Sequence, residues 1–232
     1  MQWIHDYQLF LFDFDGLLVN TEELHYKAYQ KMCRDRGFEL SWSFIRYCHA
    51  AHYSQEKLRA SIFESVPGLK ENEPDWKVLY REKKQAMVEL LHGGAVQLMP
   101  GARELLEALD QASIARCVVT NSPDEQIAII REQNPFLDTI EHWFTRETYV
   151  EPKPSPECYL NAIKALNPKG GKVIGFEDSP RGLRALLQTP AKPVFISEVD
   201  YPELPEFLGR GVIHFRSLVD LVDSPLLLEK AP

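Results

Sequence analysis

The sequence predicts an α/β fold, with a doubly wound parallel sheet as its core and a small all-helical domain inserted after the first strand. Three observations predict this fold. A short, wholly apolar run lies near the N terminus, residues 21–92 show only helical periodicity, and apolar strands alternate with helices from residue 94 onwards. The 232 residues suffice for a core with a smaller domain, since domains commonly hold about 100–200 residues.

The first strand is the run Leu9–Phe12, whose lack of polar residues is typical of a parallel strand covered on both faces. The pattern then becomes helical: Leu24, Ala28 and Met32 are spaced by four residues, and two further segments follow at 58–66 and 76–91. We therefore predict a doubly wound core of residues 1–18 and 94–232 and a helical cap of residues 19–93. An insertion of this kind can act as a lid.

The remaining chain has the rhythm of a Rossmann-like core, in which each parallel strand is followed by a helix. The predicted strands are residues 115–119, 142–144, 172–176, 193–196 and 212–215. The predicted helices are residues 102–111, one after Pro123, residues 156–166 and one from Pro180.

The composition excludes several classes of protein. The chain is 44% hydrophobic and 26% charged, as in ordinary folded domains, and its net charge of -8 argues against a nonspecific nucleic-acid binder. The four cysteines include no C-x-x-C pair, so neither disulfides nor zinc are indicated, and a reducing cytoplasm fits best. The first apolar run is interrupted by aspartates before it could span a bilayer, so we expect no membrane partner, and we expect a monomer.

Two carboxylates follow the first strand in Asp13-Phe14-Asp15-Gly16. Residues i and i+2 of a strand project to the same side, so both acids can face one site, while Gly16 allows a tight turn. The alternative is a strand end with solvated acids. The second apolar strand ends at Thr120, whose hydroxyl, with the backbone amides that follow from Asn121, can hold a phosphate oxygen.

Three further motifs surround the remaining candidate residues. Ser122 precedes Pro123 and is interpreted as a helix N-cap. Lys153 stands in the proline-rich turn Pro-Lys-Pro-Ser-Pro, which fixes its backbone, although a surface lysine is the simpler alternative. Glu177 and Asp178 end another apolar strand, where they either serve as helix N-terminal charges or join Asp13 and Asp15 in binding a magnesium ion.

Taken in order, DFDGLLVNTE, VVTNS, KPSP and GFEDSPRG resemble the four motifs of the haloacid dehalogenase superfamily, in the branch of β-phosphoglucomutase and sugar phosphatases. The resemblance implies that Asp13 is the nucleophile and a magnesium ligand, and that Asp15 is the general acid and base and binds the metal through its backbone carbonyl. It further implies that Thr120 and Lys153 hold the phosphoryl group and that Glu177 and Asp178 complete the metal site.

The resemblance implies a magnesium-dependent phosphomonoester hydrolase that acts on a small phosphorylated metabolite, either a sugar phosphate or a nucleotide. The alternative is a phosphosugar mutase like β-phosphoglucomutase. His25 lies where that branch often carries a histidine, and it is a candidate cap contact. The cap departs from the mutase pattern because Gln55 aligns with an arginine that binds the second phosphate. A dehalogenase of this superfamily needs neither magnesium nor the second aspartate of the first motif, so Asp15 and the Glu177-Asp178 pair argue against that function. A module that only binds phosphorylated ligands is not indicated, because none of the motif residues is missing.

Overall fold

The computed structural model describes residues 1–94, 96–222 and 224–227, and the chain divides into two compact units. The larger unit comprises Met1–Val19 with Gln97–Pro232, and the smaller one comprises Asn20–Val96. All six named strands lie in the larger unit and form one parallel sheet, whereas the described part of the smaller unit contains helices and no named strand. The predicted α/β fold with an inserted helical domain is confirmed.

The sheet has the strand order β3-β2-β1-β4-β5-β6, with β1 in its interior. Its strands are β1 Leu9–Phe12, β2 Ala115–Val119, β3 His142–Phe144, β4 Val173–Glu177, β5 Lys192–Ile196 and β6 Ile213–Phe215. Three of the predicted strands begin or end one residue away from these bounds. Every neighbouring pair is parallel, as expected when helices connect the strands.

Ten α-helices accompany these strands in the described residues. The smaller unit contains α1 Thr21–Asp35, α2 Phe44–Ala51, α3 Gln55–Ser65, α4 Pro67–Asn72 and α5 Trp76–His92. The larger unit contains α6 Ala102–Gln111, α7 Asp124–Gln133, α8 Glu157–Leu166, α9 Pro180–Leu186 and α10 Leu204–Gly209. Among the described residues, none of these helices combines the length and the apolar character that a bilayer crossing requires.

The continuous apolar sequence of β1 results from burial on both faces of the sheet. Leu9 and Leu11 pack into a cluster with residues of α8 and α9, while Phe10 and Phe12 stack against Phe176 on the opposite face. Alternate residues of one strand therefore enter two different cores, and neither face tolerates a polar side chain. All four cysteines are buried, and none of them forms a disulfide.

The smaller unit is held together by the pairing of α1 with α5. The stripe Leu24, Ala28 and Met32 on α1 is buried, as its spacing predicts, and Leu79 and Met87 are buried on α5. The four-residue spacing therefore marks the inward face of α1.

Candidate active site

The candidate residues meet at the carboxyl ends of three neighbouring strands. Asp13 directly follows β1, Thr120 directly follows β2, and Glu177 is the last residue of β4. Because β1 lies between β2 and β4, parallel pairing brings these three strand ends to one edge of the sheet. Residues more than a hundred positions apart in the chain are thereby joined in one site.

The chain leaves β1 through a tight turn that separates the two aspartates. The Asp13 N–H still pairs with the Phe176 carbonyl at 3.0 Å, which extends the strand ladder by one residue. Phe14 is fully buried and packs edge-on against Trp143, with ring centroids 5.2 Å apart. Gly16 then adopts a φ of 82°, a left-handed conformation that favours glycine. The Phe14 side chain therefore packs in the core, against β3.

Lys153 is buried at the centre of the site and is not a surface residue of its proline turn. Its ammonium donates to Asp13 Oδ1 at 2.6 Å, to Glu177 Oε1 at 2.7 Å and to the Val119 carbonyl at 2.8 Å. These three acceptors match the three hydrogens of an ammonium group and come from the ends of β1, β2 and β4. Lys153 therefore ties the three strand ends together.

The charges of this centre strongly perturb one another. Burial raises the pKa of Asp13; Lys153 opposes this effect and Glu177 reinforces it, so that the pKa rises from 3.8 to about 7. For Lys153, burial alone would lower the pKa, but the attraction of Asp13 and Glu177 outweighs burial and raises it. Two carboxylates thus share one ammonium, and the centre has an excess of negative charge.

Glu177 occupies a closed pocket. Its side chain is fully buried, and its Oε1 accepts hydrogen bonds from the Lys153 ammonium and the Tyr159 hydroxyl. Its carboxylate lies against Gly182 of α9, where an added Cβ would lie 2.0 Å from Oε2. Glu177 Oε2 is buried and has no hydrogen-bond partner. This oxygen is the one on Glu177 that a bound cation would satisfy.

A metal ion fits the acidic cluster at this centre. Asp13, Glu177 and Asp178 each offer a carboxylate oxygen, and these atoms all lie within 4.8 Å of one another. Oxygen donors of this kind suit a hard divalent cation such as magnesium. A cation would also offset the excess negative charge and satisfy Glu177 Oε2. The Asp15 carboxylate is not in this group, so its contribution through the backbone carbonyl stays a prediction.

The Asp15 carboxylate is held by donors from the segment that follows β2 and from the first turn of α7. Its Oδ2 accepts from the Thr120 hydroxyl at 3.3 Å and, over a short distance, from the Ser122 hydroxyl, while its Oδ1 accepts from Gln126 Nε2 at 3.2 Å. The interpretation of Ser122 as an N-cap is wrong, because α7 begins at Asp124 after an N-cap at Pro123. The Ser122 hydroxyl binds Asp15 instead of a free helix N–H.

Asn121 braces the loop that carries Lys153. Its side-chain oxygen accepts from the Tyr149 hydroxyl at 2.6 Å and from the Lys153 N–H at 3.3 Å. The same Tyr149 hydroxyl lies 2.8 Å from the Thr120 carbonyl. Asn121 thus helps to hold the backbone around two predicted site residues, and its binding to phosphate stays a prediction.

His25 lies in a polar cluster inside the smaller unit. Its Nδ1 is 2.5 Å from the ammonium of Lys83, which is itself buried. Nearby in the same unit, His52 Nε2 lies 2.9 Å from Glu22 Oε1. Burial alone would raise the pKa of Glu22, but the charge and the hydrogen bond of His52 outweigh it and hold this pKa well below its usual value. The predicted substrate contact of His25 is not tested by these distances.

Sequence reasoning missed Gln126, Tyr159 and Glu22 as members of these networks. Gln126 stands four residues after Ser122, the predicted N-cap, and side chains at this spacing can meet across one turn, which is a signal that could have paired them. Tyr159 and Glu22 carried no such signal, because their partners Glu177 and His52 are distant in sequence. Only the folded chain shows these contacts.

Comparison with known proteins identifies the family. A model of the haloacid dehalogenase-like hydrolase family matches residues 10–192, which include Asp13 and Asp178. The chain belongs to this family. The resemblance stated from the motifs is thereby confirmed, and so is the prediction of a phosphatase-type hydrolase.

Relatives within the haloacid dehalogenase-like hydrolases include both phosphatases and a mutase. The chain is 29% identical over 180 residues to a phosphorylated carbohydrates phosphatase of Thermotoga maritima, covering 75% of this chain and 78% of that protein. It is 24% identical over 196 residues to a β-phosphoglucomutase of Mycobacterium tuberculosis, covering 75% of each.

A solved structure shares the fold over most of the chain. The structure of a CbbY variant from Rhodobacter sphaeroides, in complex with xylulose 1,5-bisphosphate, superposes with a TM-score of 0.74 at 23% identity. The match covers 96% of this chain and 100% of that one.

Proposed function

We propose that this protein is a magnesium-dependent phosphomonoester hydrolase that forms an aspartyl phosphate on Asp13. The observation that carries the proposal is the buried Lys153 ammonium, which lies 2.6 Å from Asp13 and 2.7 Å from Glu177 beside the acidic cluster. A carboxylate nucleophile, a fixed cation and a set of metal ligands are the parts that phosphoryl transfer requires.

In the first half of the reaction, an Asp13 oxygen attacks phosphorus as the bond to the leaving oxygen breaks, and Asp15 gives that oxygen a proton. In the second half, Asp15 takes a proton from water, which attacks the phosphoryl group and releases Asp13 and inorganic phosphate. The two aspartates are held by separate sets of partners, Lys153 for one and hydroxyl and amide donors for the other. This separation suits their different tasks.

Magnesium would be held by Asp13, Glu177 and Asp178, with the backbone carbonyl of Asp15 as a further ligand. When bound, the metal neutralises charge on the phosphoryl oxygens and on the crowded carboxylates. Asp13 and Asp178 are 8% and 9% exposed while Glu177 is fully buried, so the two aspartates form the accessible side of the cluster.

Lys153 and Thr120 are the groups proposed to hold the transferring phosphoryl group. The transition state spreads negative charge over the equatorial oxygens, and a preorganised ammonium stabilises that charge without needing to move. Thr120 contributes a hydroxyl at the end of β2, and its backbone is fixed by the hydrogen bond from its N–H to the Phe144 carbonyl at 2.9 Å. Asn121 is proposed to supply a further phosphate contact.

A phosphorylated carbohydrate is the substrate class that we favour. This choice rests on a relative that is named a phosphorylated carbohydrates phosphatase, and on the CbbY structure that contains xylulose 1,5-bisphosphate. A nucleotide remains the competing class of small phosphorylated metabolite. We further propose that the smaller unit acts as a cap and that His25 contacts the substrate.

The decisive experiment measures phosphate release from a panel of sugar phosphates and nucleotides, with magnesium and after exhaustive chelation. We expect turnover that requires magnesium and that is lost in Asp13→Asn, which removes the nucleophile at nearly constant volume. Asp200→Asn, at an exposed loop residue, is the matched control and should retain wild-type rates. Full activity without metal, or in Asp13→Asn, would overturn the proposal.

A second experiment separates hydrolysis from mutase activity. A mutase must retain a bisphosphate intermediate, and loss of one charge-assisted phosphate contact costs about 1.5–3 kcal/mol, or roughly ten- to hundredfold in affinity. Gln55, which aligns with the mutase arginine, is uncharged, and its amide lies 3.5 Å from the Tyr80 hydroxyl. We therefore expect β-glucose 1-phosphate with a trace of glucose 1,6-bisphosphate to release phosphate. Rapid formation of glucose 6-phosphate without phosphate release would favour the mutase.

A further inference from the structure

The hydrogen bonds around Asp15 form a network in which every donor points towards the Asp15 carboxylate, directly or through a neighbouring hydroxyl. The Gln126 carboxamide lies 3.2 Å from Asp15 Oδ1 and 3.2 Å from the Ser122 hydroxyl oxygen, so each of its two hydrogens has an acceptor. The Ser122 hydroxyl, which receives one of these bonds, donates its own hydrogen to Asp15 Oδ2. The Ser122 N–H likewise donates to the Thr120 hydroxyl at 3.0 Å, and that hydroxyl donates to Asp15.

Gln126 is the member of this network best placed to fix the others. It lies in the first turn of α7, is 9% exposed, and is followed by Ile127 and Ile130, which are also buried and anchor the helix. Its amide reaches both Asp15 and Ser122, whereas the Ser122 and Thr120 hydroxyls can each rotate about a single bond. A rigid helix thus presents the amide to the carboxylate.

We propose that Gln126 is a positioning residue for Asp15. The inference rests on the proposed function, because it requires Asp15 to be the general acid and base. Both amide hydrogens of Gln126 point to Asp15 and Ser122, so Gln126 acts through the carboxylate that it holds. It fixes the rotamer of Asp15, so that proton transfer to the leaving oxygen needs no further search of side-chain conformations.

The test compares two aryl phosphates that differ in how much the leaving group needs a proton. The value of kcat/KM reports the steps up to transfer onto Asp13. p-Nitrophenolate leaves readily without protonation, whereas phenolate is more basic and gains more from an acid. In Gln126→Met, which keeps the length but removes the donor, we expect kcat/KM to fall about tenfold for phenyl phosphate, a part of the roughly 10²- to 10⁴-fold that acid–base catalysis contributes, and by less than about threefold for p-nitrophenyl phosphate.

Three variants complete the design. Asp15→Asn should show the same selectivity between the two substrates in stronger form, and Gln111→Met, at an exposed residue that ends α6, should match the wild type. Should Gln126→Met fail to fold, Ser122→Ala removes the neighbouring donor and should show the same selective loss. Circular dichroism establishes the folding of each variant.

The outcomes separate the two proposals. An equal fall for both substrates in a folded Gln126→Met, or no fall at all, would overturn the positioning role while Asp15→Asn still confirmed the acid. An Asp15→Asn variant with no selectivity would overturn the proposed acid–base role of Asp15 and the positioning role of Gln126 with it. A selective loss in both variants supports the inference.

Discussion

Replacing Gly182 by alanine tests the closed pocket around Glu177. The added Cβ would lie 2.0 Å from Glu177 Oε2, 2.1 Å from Oε1 and 2.2 Å from the carboxyl carbon. Carboxylate and methyl group cannot both keep these positions. Glu177 is fully buried and bonded to Lys153 and Tyr159, so relief requires either rotation of Glu177 out of its ion pair or displacement of α9.

The size of the effect follows from three contributions. Breaking a buried ion pair costs about 3–5 kcal/mol. Overpacking of a well-filled site costs about 1–3 kcal/mol when the backbone moves instead. Against these, alanine is favoured over glycine inside a helix by about 1 kcal/mol. We therefore expect Gly182→Ala to lower the free energy of unfolding by about 2–4 kcal/mol when Glu177 leaves its ion pair, and by up to about 2 kcal/mol when α9 moves instead.

The assay is urea unfolding of both forms, followed by far-ultraviolet circular dichroism and by tryptophan fluorescence. Phosphatase activity should fall with stability, because a displaced Glu177 leaves both Lys153 and the acidic cluster. The matched control is Gly209→Ala in α10, where a Cβ meets no atom within 4 Å. That variant should keep the wild-type midpoint or gain up to about 1 kcal/mol.

The reasoning would be refuted by a Gly182→Ala protein whose unfolding midpoint and activity both equal those of the wild type. Such a result would mean that Glu177 has another position available at no cost, and that neither the ion pair nor the proposed metal site depends on the pocket. A loss of similar size in Gly209→Ala would show instead that any added methyl group in a short helix is harmful.

Two further substitutions test buried charges. Glu22→Gln should lower the free energy of unfolding by about 3–5 kcal/mol near pH 7, because His52 loses its acidic partner. Glu23→Gln, which removes one member of an exposed i,i+4 pair, should lower it by at most about 0.5 kcal/mol. In the folded protein the pKa of Glu22 lies below its usual value of 4.5. The ionised carboxylate therefore stabilises the fold fully above pH 4.5, and this contribution is lost as the pH falls through the folded-state pKa. The urea midpoints of Glu22→Gln and of the wild type should accordingly converge at acidic pH. Lys153→Met should lose activity, and its free energy of unfolding should fall by about 3–5 kcal/mol because two buried carboxylates lose their ammonium. Lys164→Met, at an exposed residue of α8, should change neither quantity. An unchanged urea midpoint for Lys153→Met would contradict the central ion pair.

The local sequence was sufficient to predict most of the secondary structure. The run Leu9–Phe12 reads as a buried strand because both faces of an interior strand exclude polar side chains, and Leu24, Ala28 and Met32 mark a helix because a spacing of four follows the helical turn. Short elements such as α10 were missed, since six residues with a proline carry little periodicity.

The local sequence was misleading where two uses of one residue compete. Ser122 before Pro123 fits a helix cap, and nothing within a few positions shows that its hydroxyl binds Asp15 across 107 residues of sequence. Lys153 likewise fits an exposed proline turn, and its burial depends on acidic partners 140 and 24 residues away. A local pattern indicates which backbone conformation a segment prefers. It does not indicate which distant side chain will form a hydrogen bond with a given polar group in the folded chain.

The sequence by itself determined the strands, the helical insertion, and the chemical type of each site residue, because these depend on periodicity and on functional groups that are local to the chain. The tertiary structure alone decided that β1 lies between β2 and β4, that Lys153 bonds to Asp13 and Glu177, and that the donors around Asp15 come from the segment after β2 and from the first turn of α7. The reason is physical: strand order and side-chain partners minimise the free energy of the whole chain, through burial and charge compensation between segments far apart in sequence.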